Sequence, residues 1–327
     1  MRRVQMAKTP LVGVFAAAVW LLLATVPASA DDDGLARFKK SIEPQIPAGT
    51  LTYKSSKALG DEGFALQDVV ITPPPSDSNK GEKPQPINVK TITVESLDFD
   101  SIDKQQPPLY AKIKFDGVTG TNAGGFDVKQ MAGLDSISAD FGINYELDPD
   151  DKTFTLKRLE LNLNGLGKLE TSFVVDNVKA DDAAKLDEAM NDASLKTADL
   201  TYDDHSLLAK AIPIAAAMQG SDPKALIAMA IAMLDGARAD QSKATQKAID
   251  SLVAFVEDYQ KPKGPLHITL NPPDKVSSAQ LADAKTADEY VKLLGIEVSY
   301  AGTRTSTPAA VPAADDKKGG DTLQKKK

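Results

Sequence analysis

Apolar and polar residues alternate without a break from Ile137 to Leu147. Ile137, Ala139, Phe141, Ile143, Tyr145 and Leu147 fall on one phase, with Ser138, Asp140, Gly142, Asn144 and Glu146 on the other. Successive side chains of a strand point to opposite faces, so this period predicts a strand with one apolar and one wet face. Asp148-Pro149-Asp150-Asp151 supplies turn chemistry, since proline presets φ and aspartate bonds its own backbone locally. A second run carries Phe154, Leu156, Leu159, Leu161 and Leu163, and its change of parity predicts a bulge near Lys157 and Arg158. Gly165-Leu166-Gly167 makes another turn before Leu169, Thr171, Phe173 and Val175. The stretch from Ser136 to Val178 is thus predicted as a three-stranded antiparallel meander, greasy on one side.

The rest of the chain extends this sheet. Leu35 to Ile42 suits one or two helical turns, ended by Pro44 and Pro47. Strands are expected over Gly49 to Ser55, Gly63 to Thr72, Ile87 to Phe99 (with two shifts of parity) and Leu109 to Phe115. Pro73 to Pro86 reads as a long polar loop and Gly117 to Phe126 as a glycine-rich turn. After Val178 a short helix is expected over Ala180 to Ala193 and a strand over Leu195 to Tyr202. Asp203-Asp204 can cap a helix over His205 to Met218, which Pro213 should kink or divide. Ser221-Asp222-Pro223 starts another helix in the usual way, with a capping side chain followed by proline in the first turn. Leu226, Met229, Ala230 and Met233 recur in it at helical spacing, and a third helix is expected over Gln241 to Gln260. Such stripes predict faces that pack on the sheet. Leu266 to Leu270 and Ile296 to Tyr300 read as closing strands, with one or two helices over Val276 to Leu294 between them.

These elements give an α+β fold: an extended, twisted antiparallel sheet with a helical insert on one face. The expected organisation is a signal peptide over 1–30 and one domain over 31–303. That domain is β-rich over 49–178 and 264–301, with the helical insert over 204–260, and a disordered tail follows over 304–327. The leader reading rests on Arg2, Arg3 and Lys8, the uncharged run from Leu11 to Val26, and the cleavage pattern Pro27-Ala28-Ser29-Ala30. It places the mature chain across the inner membrane, in the periplasm, with no membrane span after cleavage. The tail of alanine, proline, glycine and charge has too little apolar content to order itself.

Charge narrows the partners. The 327 residues carry a net −8, and removing a leader that contains Arg2, Arg3 and Lys8 makes this −11. An acidic chain with few aromatics is poorly suited to nucleic acid or to anionic headgroups. Two histidines and no cysteine nearly exclude imidazole- or thiolate-based metal sites, and no cofactor is implied. Asp204-His205-Ser206 are adjacent in sequence, whereas a catalytic triad needs its members converging in space. No nucleophile-elbow or phosphate-cradling motif occurs. Asp98, Asp100 and Asp103 are accounted for by solvation of a polar phase.

Leu159-Glu-Leu-Asn-Leu-Asn-Gly-Leu-Gly-Lys-Leu-Glu-Thr-Ser-Phe173 resembles the strand–Gly-x-Gly–strand unit of AsmA-like envelope proteins. The resemblance covers that short stretch and implies a long curved β-sheet associated with lipid handling. The downstream helices, with Leu266-His-Ile-Thr-Leu-Asn-Pro-Pro273 and Leu294-Gly-Ile-Glu-Val-Ser-Tyr300, also resemble uncharacterised exported bacterial proteins. This chain departs from the AsmA-like pattern in its cleavable leader and its shortness, and no functional residue carries over.

The expectation is therefore a non-enzymatic envelope protein with a binding or scaffolding role. Its apolar face would either pack under the helices or hold a lipid or other apolar ligand. Ile137, Phe141, Ile143, Tyr145, Leu161, Leu163 and Phe173 from the sheet, with Met229 and Met233 from the helices, are the candidate residues, and packing under the helices is the expected outcome. Two alternatives stand beside it: an envelope partner pairing with an exposed sheet edge, and a carboxylate-dependent hydrolase whose acidic pair comes from distant loops.

Overall fold

A computed structural model describes residues 33–72, 85–120, 122–123, 126–127, 136–178, 193–276 and 278–306. Eleven strands form one antiparallel sheet: β1 (Leu51–Thr52), β2 (Ser55–Ala58), β3 (Phe64–Ile71), β4 (Ile87–Leu97), β5 (Tyr110–Gly120), β6 (Ile137–Asp148), β7 (Thr153–Leu163), β8 (Gly167–Asp176), β9 (Ser194–Asp204), β10 (Leu266–Leu270) and β11 (Ile296–Ser299). From β3 onward each strand lies beside its successor, while β1 and β2 both pair with β3. The fold is α+β, as the alternation predicts. Asn122–Ala123 and Phe126–Asp127 form a separate small ribbon.

The predicted meander is β6, β7 and β8. Asp148 Oδ1 accepts from the backbone N–H groups of Asp150 and Asp151 at 2.9 and 3.0 Å and so closes the first turn. The bulge falls where the parity changes: Asn144 pairs with Arg158 and Tyr145 with Leu156, leaving Lys157 over. A second bulge at Gly117 replaces the turn expected there. Its φ is +63°, its N–H donates to Asp140 Oδ1 at 2.8 Å, and β5 continues to Gly120. Glycine adopts that angle without penalty, so the strand kinks instead of ending.

Among the described residues, seven helices flank the sheet. Asp33 caps α1 (Gly34–Arg37), which continues as a π turn over Phe38–Ile42 and a 3-10 turn over Glu43–Gln45. The short α2 (Phe99–Asp103) follows β4. The insert between β9 and β10 holds α3 (Leu207–Met218), α4 (Pro223–Arg238) and α5 (Lys243–Glu257). Pro213 lies inside α3 without dividing it. Asp222 and Ser242 cap α4 and α5 through their side chains, as Ser221-Asp222-Pro223 predicts for the former. The last two helices, α6 (Ser278–Asp283) and α7 (Ala287–Leu294), precede β11.

A capping box of Thr286 and Glu289 starts α7, and Gly295 ends it at φ +57°. A Cβ at Gly295 would press on the carbonyl of Asn271, whose own N–H donates to Gly295 O. Substitution of Gly295 by alanine is therefore expected to destabilise this end of the fold by about 2 kcal/mol, from the left-handed backbone and the backbone clash together. Urea denaturation checks it, and an unchanged midpoint would contradict the argument.

Two separate cores hold the sheet at its ends. At one, Phe38 and Ile42 pack on Phe64, Leu66, Val89, Ile92 and Val94, with the Phe38 and Phe64 rings stacked at 4.5 Å. Arg37 fastens this cap, reaching Asp100 at 2.5 Å and Asp103 at 3.1 Å with its guanidinium over the Phe99 ring. At the other end, Ala248 and Phe255 of α5 pack on Leu266 and Val298, and Phe255 meets Tyr202 and Tyr300 edge-on at 5.9 and 5.3 Å.

The insert covers this far end, and one expected contact fails. Met229 and Met233, expected to pack on the sheet, are 52% and 72% exposed. The half-buried side of α4 is instead Leu226, Ile227, Ala230, Ile231 and Leu234. α4 carries apolar side chains almost all round, so hydrophobic spacing alone does not fix which side turns inward.

Arg304, Thr305 and Ser306, expected to open the tail, are instead bonded to the insert. The predicted leader, residues 73–84 of the expected loop, the helix expected over Ala180 to Ala193 (its last residue excepted) and residues 307–327 lie outside the described residues.

Candidate functional site: an apolar trough across the central strands

Strand register aligns the apolar positions into rows that cross the whole sheet. One row runs Leu66, Ile92, Phe115, Phe141, Leu161, Leu169, Tyr202, Leu266 through eight neighbouring strands. The next crosses the middle as Ile143, Leu159, Thr171 and Leu200, and a third as Tyr145, Leu156, Phe173 and Ala198. Bulges at Gly117, at Lys157 and near Val174 keep the rows in phase, because each returns the apolar parity to the same face. Without them a one-residue slip would turn half of each strand over.

At both ends the rows disappear under the two cores. Between them, from β6 to β8, nearly every residue on both faces is half-buried, so the sheet there is one layer thick. Among the described residues the helices pack on one another and toward β11, leaving the middle of the rows uncovered. The candidate residues Ile137, Phe141, Ile143, Tyr145, Leu161, Leu163 and Phe173 all lie on this apolar face, whereas Met229 and Met233 lie elsewhere.

Aromatic rings pave part of the trough. Phe115 and Phe141 lie 5.8 Å apart, as do Tyr145 and Phe154, and Phe154 and Phe173. The tyrosines turn their hydroxyls aside. Tyr145 donates to Pro108 O at 3.2 Å, and burial pushes its pKa up to about 12. Tyr202 donates to Asp204 Oδ1 at 2.7 Å, and burial together with that carboxylate raises it further. Both stay neutral at ordinary pH, so their rings present apolar surface.

Near Tyr202 the trough deepens into a cavity of about 160 Å³ lined by Leu161, Leu163, Gly167, Leu169, Tyr202 and Leu207. A wider, open cleft of about 660 Å³ lies at the far end, between the start of α5, α7 and the β10–β11 pair. Its wall mixes polar side chains, among them Ser242, Asn271, Asp288 and Lys292, with apolar surface from Ala244, Pro273, Val291 and Ile296. Spacing of about 4.8 Å between strands and about 6.7 Å between alternate residues gives the uncovered rows a footprint of roughly 300 Å². The largest apolar patch on a typical soluble monomer is of that order and is often functional.

The opposite face is a lattice of ion pairs. Glu160 and Glu170 stand directly across from each other, and like charges so placed repel. Arg158 reaches Glu160 at 2.6 Å and Glu170 at 3.1 Å, and Lys168 reaches both at 3.3 Å. Burial would raise the Glu170 pKa, but Arg158 and Lys168 outweigh it and hold the carboxyl below its usual range. The other acidic pairs are built alike: Asp100 and Asp103 share Arg37, and Asp235 and Asp250 share Arg304. A hydrolase acid needs a carboxyl whose pKa is raised, whereas the shared cations hold Glu170, Asp100 and Asp250 below the usual carboxylate range.

His205 faces Asp203 at 3.4 Å on the surface, and His267 faces Thr201 at 3.0 Å. Among the described residues no group of three or more His, Asp or Glu is placed to hold a metal. The strands at the sheet edges are short, two residues in β1 and four each in β2 and β11. Short edges give an added strand little to pair with.

Fold and site together define a single-layer antiparallel sheet, capped at both ends and apolar across its open middle. A family model described as an uncharacterized protein matches residues 160–301, less than half of the chain. That segment holds the end of β7 and everything from β8 to β11. No curated protein matches the chain.

Proposed function

We propose that this is an exported, non-enzymatic binding protein of the cell envelope that shelters an elongated apolar molecule, such as a lipid, against β6 to β9. One observation carries the reading: contiguous apolar rows run between two capped ends with no cover among the described residues. Covering roughly 300 Å² of apolar surface is worth about 7 kcal/mol before association costs. That suits a ligand taken up and released more than one held permanently. The cation-paired carboxylates and the short sheet edges give the hydrolase and edge-pairing alternatives less support.

Native mass spectrometry of the protein after mild extraction tests the reading. The expected spectrum contains adducts of lipid mass that disappear on organic extraction and return on incubation with phospholipid. A protein that stays ligand-free through both steps would overturn it.

A further inference from the structure

The helical hairpin of α3 and α4 carries a second apolar surface, separate from the trough and facing outward. On α4, Ala225, Ala228, Ala232, Gly236 and Ala237 are exposed or half-buried at helical spacing and form a smooth bed from which Met229 and Met233 project. None of these side chains bears a charge or a hydrogen-bonding group. In α3 every side chain but Lys210 is apolar, and only Ala216 is buried. Met218, at the turn between the helices, is 79% exposed.

We propose that this hairpin seats on a lipid bilayer surface, with Met218, Met229 and Met233 entering the acyl boundary. Three observations select this occupant. A second copy of the chain is too demanding: helices of 12 and 16 residues present about 42 Å of combined length by 10 Å, some 420 Å², against the roughly 800 Å² per partner of a stable interface. A bilayer needs no shape complementarity, and single-faced helices with projecting apolar side chains bind there.

Charge agrees as well. The exposed cations of the hairpin, Lys210 and Lys224, form no ion pair among the described residues, while its exposed Asp222 is occupied in capping Ala225 N. Two lysines against one capping carboxylate leave the exposed hairpin at +1 on an otherwise acidic chain, a small bias toward anionic headgroups. Finally, the hairpin is rooted at the trough. Leu207, its first residue, lines the 160 Å³ cavity, and the N–H groups of His205, Ser206 and Leu207 all donate to Leu166 O. A hairpin seated on the membrane would bring that end of the trough to the lipid. This last step rests on the trough reading, whereas the seating itself does not.

The only tryptophan is Trp20, so a chain carrying Trp20→Phe and Met233→Trp has one local reporter. The probes are vesicles of phosphatidylcholine alone or mixed with phosphatidylglycerol, with bromine on the acyl chains. Emission from the introduced indole is expected to move to shorter wavelength and to lose most of its intensity, more so on the anionic vesicles. The same reporter placed by Lys57→Trp, exposed on β2, should be unaffected. Met218→Trp gives the same reading from the hairpin's tip should the first variant misfold. With that tip reporter, Met229→Glu plus Met233→Glu should weaken partitioning by at least about a hundredfold.

Emission at both hairpin sites unchanged by either vesicle overturns the proposal, as does a shift that depends on protein concentration without lipid, which would mean a second copy. A protein that seats on vesicles yet carries no lipid adduct supports the hairpin and removes the trough. One that carries lipid while the hairpin reporters are unmoved removes the hairpin alone.

Discussion

Replacing Arg304 with methionine is expected to destabilise the C-terminal end of the sheet by about 3 kcal/mol, the usual size for breaking a buried ion pair. The Arg304 and Asp235 side chains are only 8% and 7% exposed. Nη2 donates to Asp235 Oδ2 at 2.8 Å and Nη1 to Asp250 Oδ1 at 2.9 Å. Asp250 keeps Arg238 as a second partner at 3.0 Å, but Asp235 would be left as a buried charge with no cation. The double variant Arg304→Met, Asp235→Leu should recover most of the loss, because an apolar pair of similar volume carries no desolvation penalty. Urea denaturation of both variants decides the matter. If the double variant is no more stable than the single one, packing of the arginine stem and not charge holds the clamp.

The same clamp predicts a response to acid. Burial would raise the Asp250 carboxyl, but Arg238 and Arg304 outweigh it and depress its pKa. Burial likewise tends to raise the Glu257 carboxyl, and bonds from Ser306 and Thr305 overcome that tendency and depress it. A carboxylate depressed in the folded state contributes stability that is fully present above its unfolded pKa, near 4. That contribution is lost as pH falls below this value toward the folded pKa. The wild type should therefore lose stability on acidification below about pH 4. Arg304→Met should show a shallower loss over the same range.

The sheet was legible in the sequence because its strands have one wet face, and a period of two survives any detail of packing. Lys157 and Arg158 marked a bulge for the same reason: parity cannot change in a strand without one. Gly117 misled, since glycine ends strands in some contexts and kinks them in others. What separates the cases is the partner for its N–H, here Asp140, twenty-three residues on.

The insert was legible as helices, through Asp222 and Ser242, but not in its orientation. Leu226, Met229, Ala230 and Met233 share a helical spacing, yet the inward side is set by Asp235, which must meet an arginine sixty-nine residues away. A lone acid inside an apolar helix and a lone arginine ahead of a polar tail were the available signals, and only the fold shows that they pair. The candidate trough residues were readable because both packing and ligand binding need the same greasy face. Which of these outcomes holds depends on distant elements. Among the described residues the rows are covered at the ends and not in the middle, an arrangement that arises from two caps that local pattern does not place.

Replacing Leu161 with glutamate is expected to weaken uptake of an apolar probe by at least about a hundredfold, or about 2.7 kcal/mol, while the protein stays folded. Leu161 lies between Phe141 and Leu169 at the middle of the uncovered row and lines the small cavity. It is half-buried, so a glutamate there reaches water in the free protein and costs little. A ligand laid across the row would seal that carboxylate from water with no cation on the same face, and an unpaired charge so buried is penalised by several kcal/mol. Thr155, on the opposite face of the same strand and across from Glu146, provides the control. Thr155→Lys adds a charge to the sheet without touching the trough and should leave uptake unchanged. Titration with a pyrene-labelled fatty acid, with circular dichroism to check the fold, reads both variants. Equal affinity for wild type and Leu161→Glu would move any ligand off this face, whereas loss in both variants would point to a general weakening of the single-layer sheet.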